Sequence, residues 1–228
     1  MKAFEYAEPR TEVEAIELLS DKVKTTEVLA GGTDLVGLMK KMLVTPDRVV
    51  NIMEVPSLQR IEPQEDGAVV IGAAVTLDEV LAHPYLENYP AITDAILGIN
   101  SMQLQSQGTL VGDLCQRPRC WFFRNGQQLL DQSGHVAEGD NRFHAILGNS
   151  GPAKFVSSSR IGPALIVLDA KLRLVGPTAD DEQWIAAADF FVAPRHEEQQ
   201  ETVLLPGQFV THVLLPAASS SYNATYEV

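Results

Sequence analysis

Cysteine is scarce in this chain: two in 228 residues, Cys115 and Cys120. That is too few to staple a protein of this size, which excludes a disulfide scaffold and makes a reducing compartment the default. Long apolar runs are missing as well. None approaches the roughly 20 residues that cross a bilayer, and Met1-Lys2-Ala3-Phe4-Glu5 has no signal-peptide apolar core. The expectation is a cytoplasmic chain that starts near here without an export signal of its own. Positive charge is outweighed, with 17 Lys and Arg against 30 Asp and Glu, a net charge of −13 and a pI near 4.7. Such a balance argues against nucleic acid and against an anionic membrane surface as partners. Neither the G-x-G-x-x-G nor the G-x-x-x-x-G-K-[ST] spacing occurs, which leaves a dinucleotide Rossmann site and a Walker ATPase as poor readings.

What is present is a globular composition, 45% hydrophobic, enough for one large or two small domains with a real core. Ala3 to Tyr6 reads as a strand, and Thr11-Glu12-Val13-Glu14 as a capping box opening a helix with Val13, Ile16 and Leu19 on one face. Val28 to Ala30, Leu35 to Leu43 and Arg48 to Ile52 continue as strand, helix, strand, with Pro46 stopping the second helix. This βαβαβ order predicts a small parallel sheet. Beyond Val55-Pro56 the pattern changes to a hairpin, Gln59 to Ile61 and Ala68 to Ile71 around Glu65-Asp66-Gly67, then a capping box at Thr76 to Glu79 and a helix from Pro90 to Ile99. A glutamine-rich passage, Ser101 to Gln107, follows. From Cys115 to Asn141 there is no clear periodicity, and such a stretch in a compact domain is functional or mobile. Strands are predicted at Phe143 to Leu147, Phe155-Val156, Lys171 to Val175 and Gln208 to Leu215, and a helix at Ile161 to Asp169. Trp184-Ile185 and Phe190-Phe191 are expected to bury aromatic surface, and Glu197 to Glu201 to form a solvated turn. The expected organisation is a first subdomain over 1–55, a second over 56–217 and a linker from 218 to 228.

Between the second strand and second helix lies Ala30-Gly31-Gly32-Thr33-Asp34-Leu35. A strand that breaks at two glycines and restarts as a helix presents backbone N–H groups suited to an anion, at the strand's carboxyl end where α/β folds bind ligands. Thr33 or Asp34 is placed to cap the helix. Strand-Gly-Gly-helix is also an ordinary βα connection. A second glycine loop, Gly108-Thr109-Leu110-Val111-Gly112-Asp113-Leu114, follows the glutamine-rich passage.

Together the two loops resemble the FAD-binding subunit of the molybdenum hydroxylases, the family of xanthine dehydrogenase, carbon monoxide dehydrogenase and aldehyde oxidoreductases. The resemblance covers nearly the whole chain and extends to Ile71 to Thr76, Gln103 to Thr109, Pro163-Ala164-Leu165 and Pro206-Gly207-Gln208. Cys115 to Arg124 and Gly139 to Ile146 look like the branch with periplasmic aldehyde oxidoreductases and 4-hydroxybenzoyl-CoA reductase. The resemblance implies an α+β (α/β) fold of the PCMH/vanillyl-alcohol-oxidase type, a small βαβαβ subdomain plus a larger mixed or antiparallel sheet flanked by helices. It implies FAD between the subdomains, with the first loop on the pyrophosphate and the second beside the ribityl chain and flavin. The residues implied are Ala30, Gly31, Gly32, Thr33, Asp34, Leu35, Gln105, Gly108, Thr109, Gly112, Asp113 and Ser159. It also implies a molybdenum-cofactor subunit and a [2Fe–2S] subunit as partners, electrons passing through FAD to an external acceptor, and no side chain acting as acid or base. Related complexes can be exported on a partner's signal, which keeps the periplasm open.

Three departures stand against that pattern. The branch carries a [4Fe–4S] cluster on four cysteines, and two thiolates cannot make that site, so no cluster is expected and Cys115 and Cys120 are either core thiols or its remnant. Zinc requires His135 or His144 to join them, at spacings that fit no standard motif. Arg160 stands where the family has an acidic residue, and relatives continue from around Tyr222 into a carboxy-terminal α/β domain, so this is a shortened or a natural form without it. Arg117, Arg119 and Arg124 with Trp121 form either a basic, aromatic patch or a solvated loop over a packed Trp121, Phe122 and Phe123. The alternative function is a docking or assembly module on the same fold with impaired flavin binding.

Overall fold

The computed structural model describes residues 1–20, 25–126, 157–195, 199–218 and 223–225. The chain opens with β1 (Glu5–Ala7), α1 (Glu12–Leu19), β2 (Thr26–Leu29), α2 (Leu35–Lys40) and β3 (Arg48–Asn51). The sheet is parallel and runs β1-β3-β2: the α2 crossover joins neighbouring strands, whereas the α1 crossover skips one place and β3 inserts between β1 and β2. Thr11 caps α1 by accepting the Glu14 N–H at 3.1 Å, but the Glu14 carboxylate reaches past it to the Arg10 N–H at 2.7 Å. The expected reciprocal box is therefore shifted by one residue. α2 stops earlier than its apolar pattern, because Met42 turns into the left-handed region at φ 60° and Leu43 N–H bonds back to the Leu38 carbonyl.

β4 (Ile61–Pro63) and β5 (Val69–Gly72) form the predicted hairpin. Next come α3 (Leu77–Ala82), with the complete capping box of Thr76 and Glu79, and α4 (Pro90–Leu97). Then α5 (Met102–Gln107) and α6 (Leu110–Leu114) follow, α5 being the glutamine-rich passage, helical because the Ser101 hydroxyl accepts the Leu104 N–H. α7 (Trp121–Arg124) interrupts the stretch that lacks periodicity. After α8 (Gly162–Val167) come β6 (Lys171–Val175), β7 (Glu182–Ala186) and β8 (Phe209–Leu215). The second sheet is antiparallel throughout, in the order β4-β5-β8-β6-β7. All strands of the parallel sheet precede residue 52 and all those of the antiparallel sheet follow residue 60.

One apolar core runs through both sheets, from Val50 and Ile52 to Ile71, Leu165, Leu172 and Val213. Burying each such side chain stabilises the fold by about 1.5–3 kcal/mol. The sheets are also tied by charge. Glu12 on α1 accepts from Arg173 of β6 at 2.6 Å and from the Ser57 hydroxyl at 2.8 Å. Trp184 corrects an expectation: it lies on edge strand β7 with 41% of its surface exposed, while Phe190 is fully buried. The predicted strands at Phe143 to Leu147 and Phe155-Val156, with His135, His144 and His196, lie outside the described residues. Among the described residues no helix is long and apolar enough to cross a membrane.

Candidate functional site

β2 delivers the first glycine loop directly onto the backbone that enters the second. A Cβ built on Gly31 would lie 1.5 Å from the Gln107 carbonyl oxygen, so only glycine allows this approach. Gly32 follows at φ +71°, in the left-handed region. The N–H groups of Gly32, Thr33 and Asp34 and the Thr33 hydroxyl donate to no acceptor among the described residues. Buried or clefted N–H groups are seldom left without a partner.

Neither Thr33 nor Asp34 caps α2 with its side chain, contrary to the expectation. Asp34 occupies the cap position in a helical backbone conformation, and its carboxylate is turned to another element. Oδ1 accepts from Arg124 at 2.7 Å and Oδ2 from the Arg117 N–H at 3.0 Å. The first loop is thus anchored to the segment around α7, where Arg117 and Arg124 also stack on the Phe123 ring at 5.2 and 5.9 Å. Phe122 and Phe123 are buried, whereas Trp121 is 73% exposed.

At the second loop several polar groups are spent inside the chain, although the N–H groups of Thr109 and Val111 find no acceptor among the described residues. Gly108 N–H bonds to the Leu104 carbonyl, Leu110 N–H to that of Val75 and Asp113 N–H to that of Thr109. The Thr109 hydroxyl caps α6 by accepting the Gly112 N–H at 3.0 Å. Asp113 accepts from Ser159 Oγ at 2.5 Å, from Ile161 N–H at 3.1 Å and from Gln116 Nε2 at 2.7 Å. Burial raises its carboxyl above the ordinary value, against the pull of those bonds. Gln105 donates its amide to the Ile96 and Ile99 carbonyls, pinning α5 to the end of α4.

Two cavities flank the paired loops. The larger, about 820 Å³, is lined by Ala30 to Leu35, Thr109, Gly112, Glu27, Arg117 and Glu201, among others. The smaller, about 250 Å³, shares Thr33, Asp34, Thr109 and Gly112 and adds Gly108, Asp113, Asn100, Arg119 and Arg160. Ser159 and Gln105 line neither; Ser159 steadies Asp113, and Arg160 donates to the Gly98 carbonyl. A cavity of about 300–1,000 Å³ with apolar walls and a few convergent polar groups is the usual form of a cofactor site. Glu27, Gln116 and Glu201 escaped the sequence reading. Glu201, expected from the sequence in a solvated turn, is buried and paired with Arg117 at 3.1 Å. A charged residue in a strand four positions before Gly31 was the available signal for Glu27.

Cys115 and Cys120 are free thiols on separate packing groups, Cys115 against the main core and Cys120 beside Leu38 and Phe123. Burial, reinforced by Asp113, pushes the Cys115 thiol up to about 12, and Cys120 Sγ caps α7. Among the described residues no cluster of His, Cys, Asp and Glu could hold a metal ion.

Residues 2–218 match the family model for the FAD binding domain in molybdopterin dehydrogenase. The aldehyde oxidoreductase FAD-binding subunit PaoB of Escherichia coli K12 is 35% identical over 222 residues, 95% of this chain and 69% of that protein. The carbon monoxide dehydrogenase medium chain of Afipia carboxidovorans is 25% identical over 226 residues, 99% of this chain and 62% of that one. Among solved structures, quinoline 2-oxidoreductase from Pseudomonas putida 86 superposes with a TM-score of 0.67 at 22% identity, covering 96% of this chain and 61% of that one. The last likeness concerns the fold alone. The chain spans about two thirds or less of the length of these relatives.

Proposed function

The chain belongs to the family of FAD-binding domains of molybdopterin dehydrogenases, and from that premise we propose that it holds FAD in the cleft beside its two glycine loops and serves as the electron-transfer flavin subunit of a heteromeric molybdenum hydroxylase. The observation that carries the reading is the first loop: three N–H groups and a hydroxyl without acceptors among the described residues, at a shared wall of both cavities. Donors so placed suit a pyrophosphate. Gly31 and Gly32 keep the wall free of Cβ atoms, and the larger cavity is roomy enough for a dinucleotide.

In this role Gly32, Thr33 and Asp34 supply donors to the phosphates. Thr109 and Gly112 form the floor between the cavities, and Arg124 with Arg117 holds the loop through Asp34. FAD supplies the capacity to take up two electrons and release them to a different acceptor. No side chain is assigned a proton to move. The partners are a molybdenum-cofactor subunit and a [2Fe–2S] subunit, and the substrate choice belongs to the former.

A docking module with weakened flavin contacts is the second reading. It is favoured by the internal use of Gln105, Asp113 and Ser159, residues that the family resemblance places on the cofactor. The visible spectrum of the purified protein before and after incubation with FAD, followed by acid release of the chromophore, separates the two. The expected outcome is a flavin band with releasable FAD and no broad iron–sulfur absorbance. A folded sample that takes up no flavin would favour docking; brown absorbance with iron would reinstate a cluster.

A further inference from the structure

The edge of a sheet carries unpaired backbone groups, a template on which another strand can form. Of the edge strands β1, β2, β4 and β7, the first three are ill suited to that. β2 borders the larger cavity, β1 has three residues, and β4 has three and ends in Pro63, which has no N–H to donate. β7 has five, Glu182-Gln183-Trp184-Ile185-Ala186, with no proline or lysine, and pairs only with β6. None of them lines either cavity. Two bonds that bracket the β6–β7 ladder fix which groups of β7 face outward. Gly176 N–H donates to the Asp181 carbonyl and Ala187 N–H to that of Ala170, so by antiparallel alternation Gln183 and Ile185 also bond to β6. The N–H and C=O groups of Glu182, Trp184 and Ala186 therefore point away from the sheet, with no partner among the described residues.

The strand that fits this edge is a second copy of itself. Outward residues must meet outward residues, and an antiparallel two-fold axis through Trp184 achieves this: each Trp184 faces its counterpart, and each Glu182 faces the other copy's Ala186. Such a register makes about six N–H···O bonds and brings together two Trp184 rings that are each 41% exposed in the single chain. Charge is complementary as well. Glu182 lies opposite a small neutral residue, so no like charges are opposed. Lys171 of β6 pairs with Ala186, is exposed and has no ion pair among the described residues. It stands on the same face as the second copy's Glu182, two strand spacings or roughly 10 Å away, with only the alanine between them. Lysine and glutamate side chains span that gap, giving one ion pair on each side of the axis. Glu182 remains 45% exposed while bound to Arg173 at 2.8 Å, so its carboxylate has lone pairs left to accept. We propose that two copies of the chain associate by antiparallel pairing of β7, centred on Trp184. A contact this short falls below the ~1,200 Å² of stable interfaces, so the dimer is weak, with a dissociation constant on the order of 10 μM.

The test is sedimentation equilibrium of the full chain from roughly 1 to 300 μM, at about 0.15 M salt to screen the net charge of −13. A monomer–dimer equilibrium is expected. Ala186→Pro is the main variant: Ala186 sits at φ −67°, the value a proline ring imposes, and its N–H bonds to nothing, so the fold is kept while a donor is lost and the ring obstructs the incoming strand. Dimerisation should weaken at least about tenfold with Ala186→Pro, and by about three- to tenfold with Lys171→Glu. Circular dichroism checks that each variant is folded; should Ala186→Pro unfold, Lys171→Glu and cross-linking carry the test. On the axis the Cα atoms lie about 5.5 Å apart, within disulfide reach. Trp184→Cys is therefore expected to give a covalent dimer on mild oxidation, whereas Glu182→Cys, roughly 14 Å from its counterpart, and the unsubstituted chain are not. A chain that stays monomeric over the whole range overturns the proposal and leaves the edge to a different partner. A dimer that both Ala186→Pro and Lys171→Glu leave intact, or one that cross-links through Glu182→Cys and not through Trp184→Cys, overturns it too.

Discussion

At the first glycine loop the N–H groups of Gly32, Thr33 and Asp34 have no acceptor among the described residues, whereas at the second those of Gly108, Leu110, Gly112 and Asp113 all donate within the chain. Both loops follow the same sequence recipe of glycine, threonine and aspartate. The difference lies in what surrounds them. The first ends a strand of a three-stranded sheet and faces a cavity; the second is clamped between α5, Val75 and the turn at Ser159 to Ile161. On the proposed function the first loop binds and the second holds the first in place.

The largest effect is expected where the loops touch. Gly31→Ala drives a Cβ into the Gln107 carbonyl, and because that obstacle is backbone the cost is about 3 kcal/mol or more, read as a loss in urea unfolding together with loss of flavin uptake. Gly37→Ala, six residues on in α2 with nothing within 4 Å, serves as the control; it should stabilise by about 0.5–1 kcal/mol.

Breaking the anchor comes next. Asp34→Ala leaves the Arg124 guanidinium without its carboxylate in a site where both side chains are about one-fifth exposed. A loss of about 1–3 kcal/mol is expected, discounted from the fully buried case for the remaining solvent. Retention of full stability would mean that the contact at Gly31 alone positions the loop.

The sharpest test applies one substitution to both loops. Thr109→Val removes the cap of α6 and should cost about 1 kcal/mol of stability. Thr33→Val removes no bond among the described residues, so stability should stay within about 0.5 kcal/mol while FAD affinity falls about tenfold. Equal stability losses from the two would erase the distinction drawn between the loops.

The smallest effect is a pH slope. Burial raises Asp113 above its ordinary 3.8, so the native state binds more protons than the unfolded one between 3.8 and the raised value. Its contribution to stability therefore falls as pH rises through that window and is level above it. Asp113→Asn should lack this fall, seen as a divergence of the two stability curves on going up from pH 3.8. A parallel pair of curves would place the folded carboxyl at its ordinary value.

Much of this was legible because its causes are local. The alternation and breaks of residues 1–55 predicted the βαβαβ order, and Thr76 with Glu79 predicted a cap that formed complete. Where a partner was distant in sequence, the reading failed. Asp34 looked like a cap until Arg124 and Arg117 N–H were found on its oxygens, and Glu201 looked solvated until Arg117 reached it. Trp184 had the residue type of a core side chain but the position of a sheet edge.

By itself the sequence determined which positions can turn, cap and admit a ligand, since φ preferences, hydroxyl caps and the absence of a Cβ are properties of single residues and near neighbours. Only the tertiary structure decided which N–H groups stay unpaired, that Gly31 backs onto Gln107, and that Glu27 faces a cavity. Those outcomes depend on which distant backbone and side chains arrive at hydrogen-bonding distance, and no pattern along the chain encodes that distance.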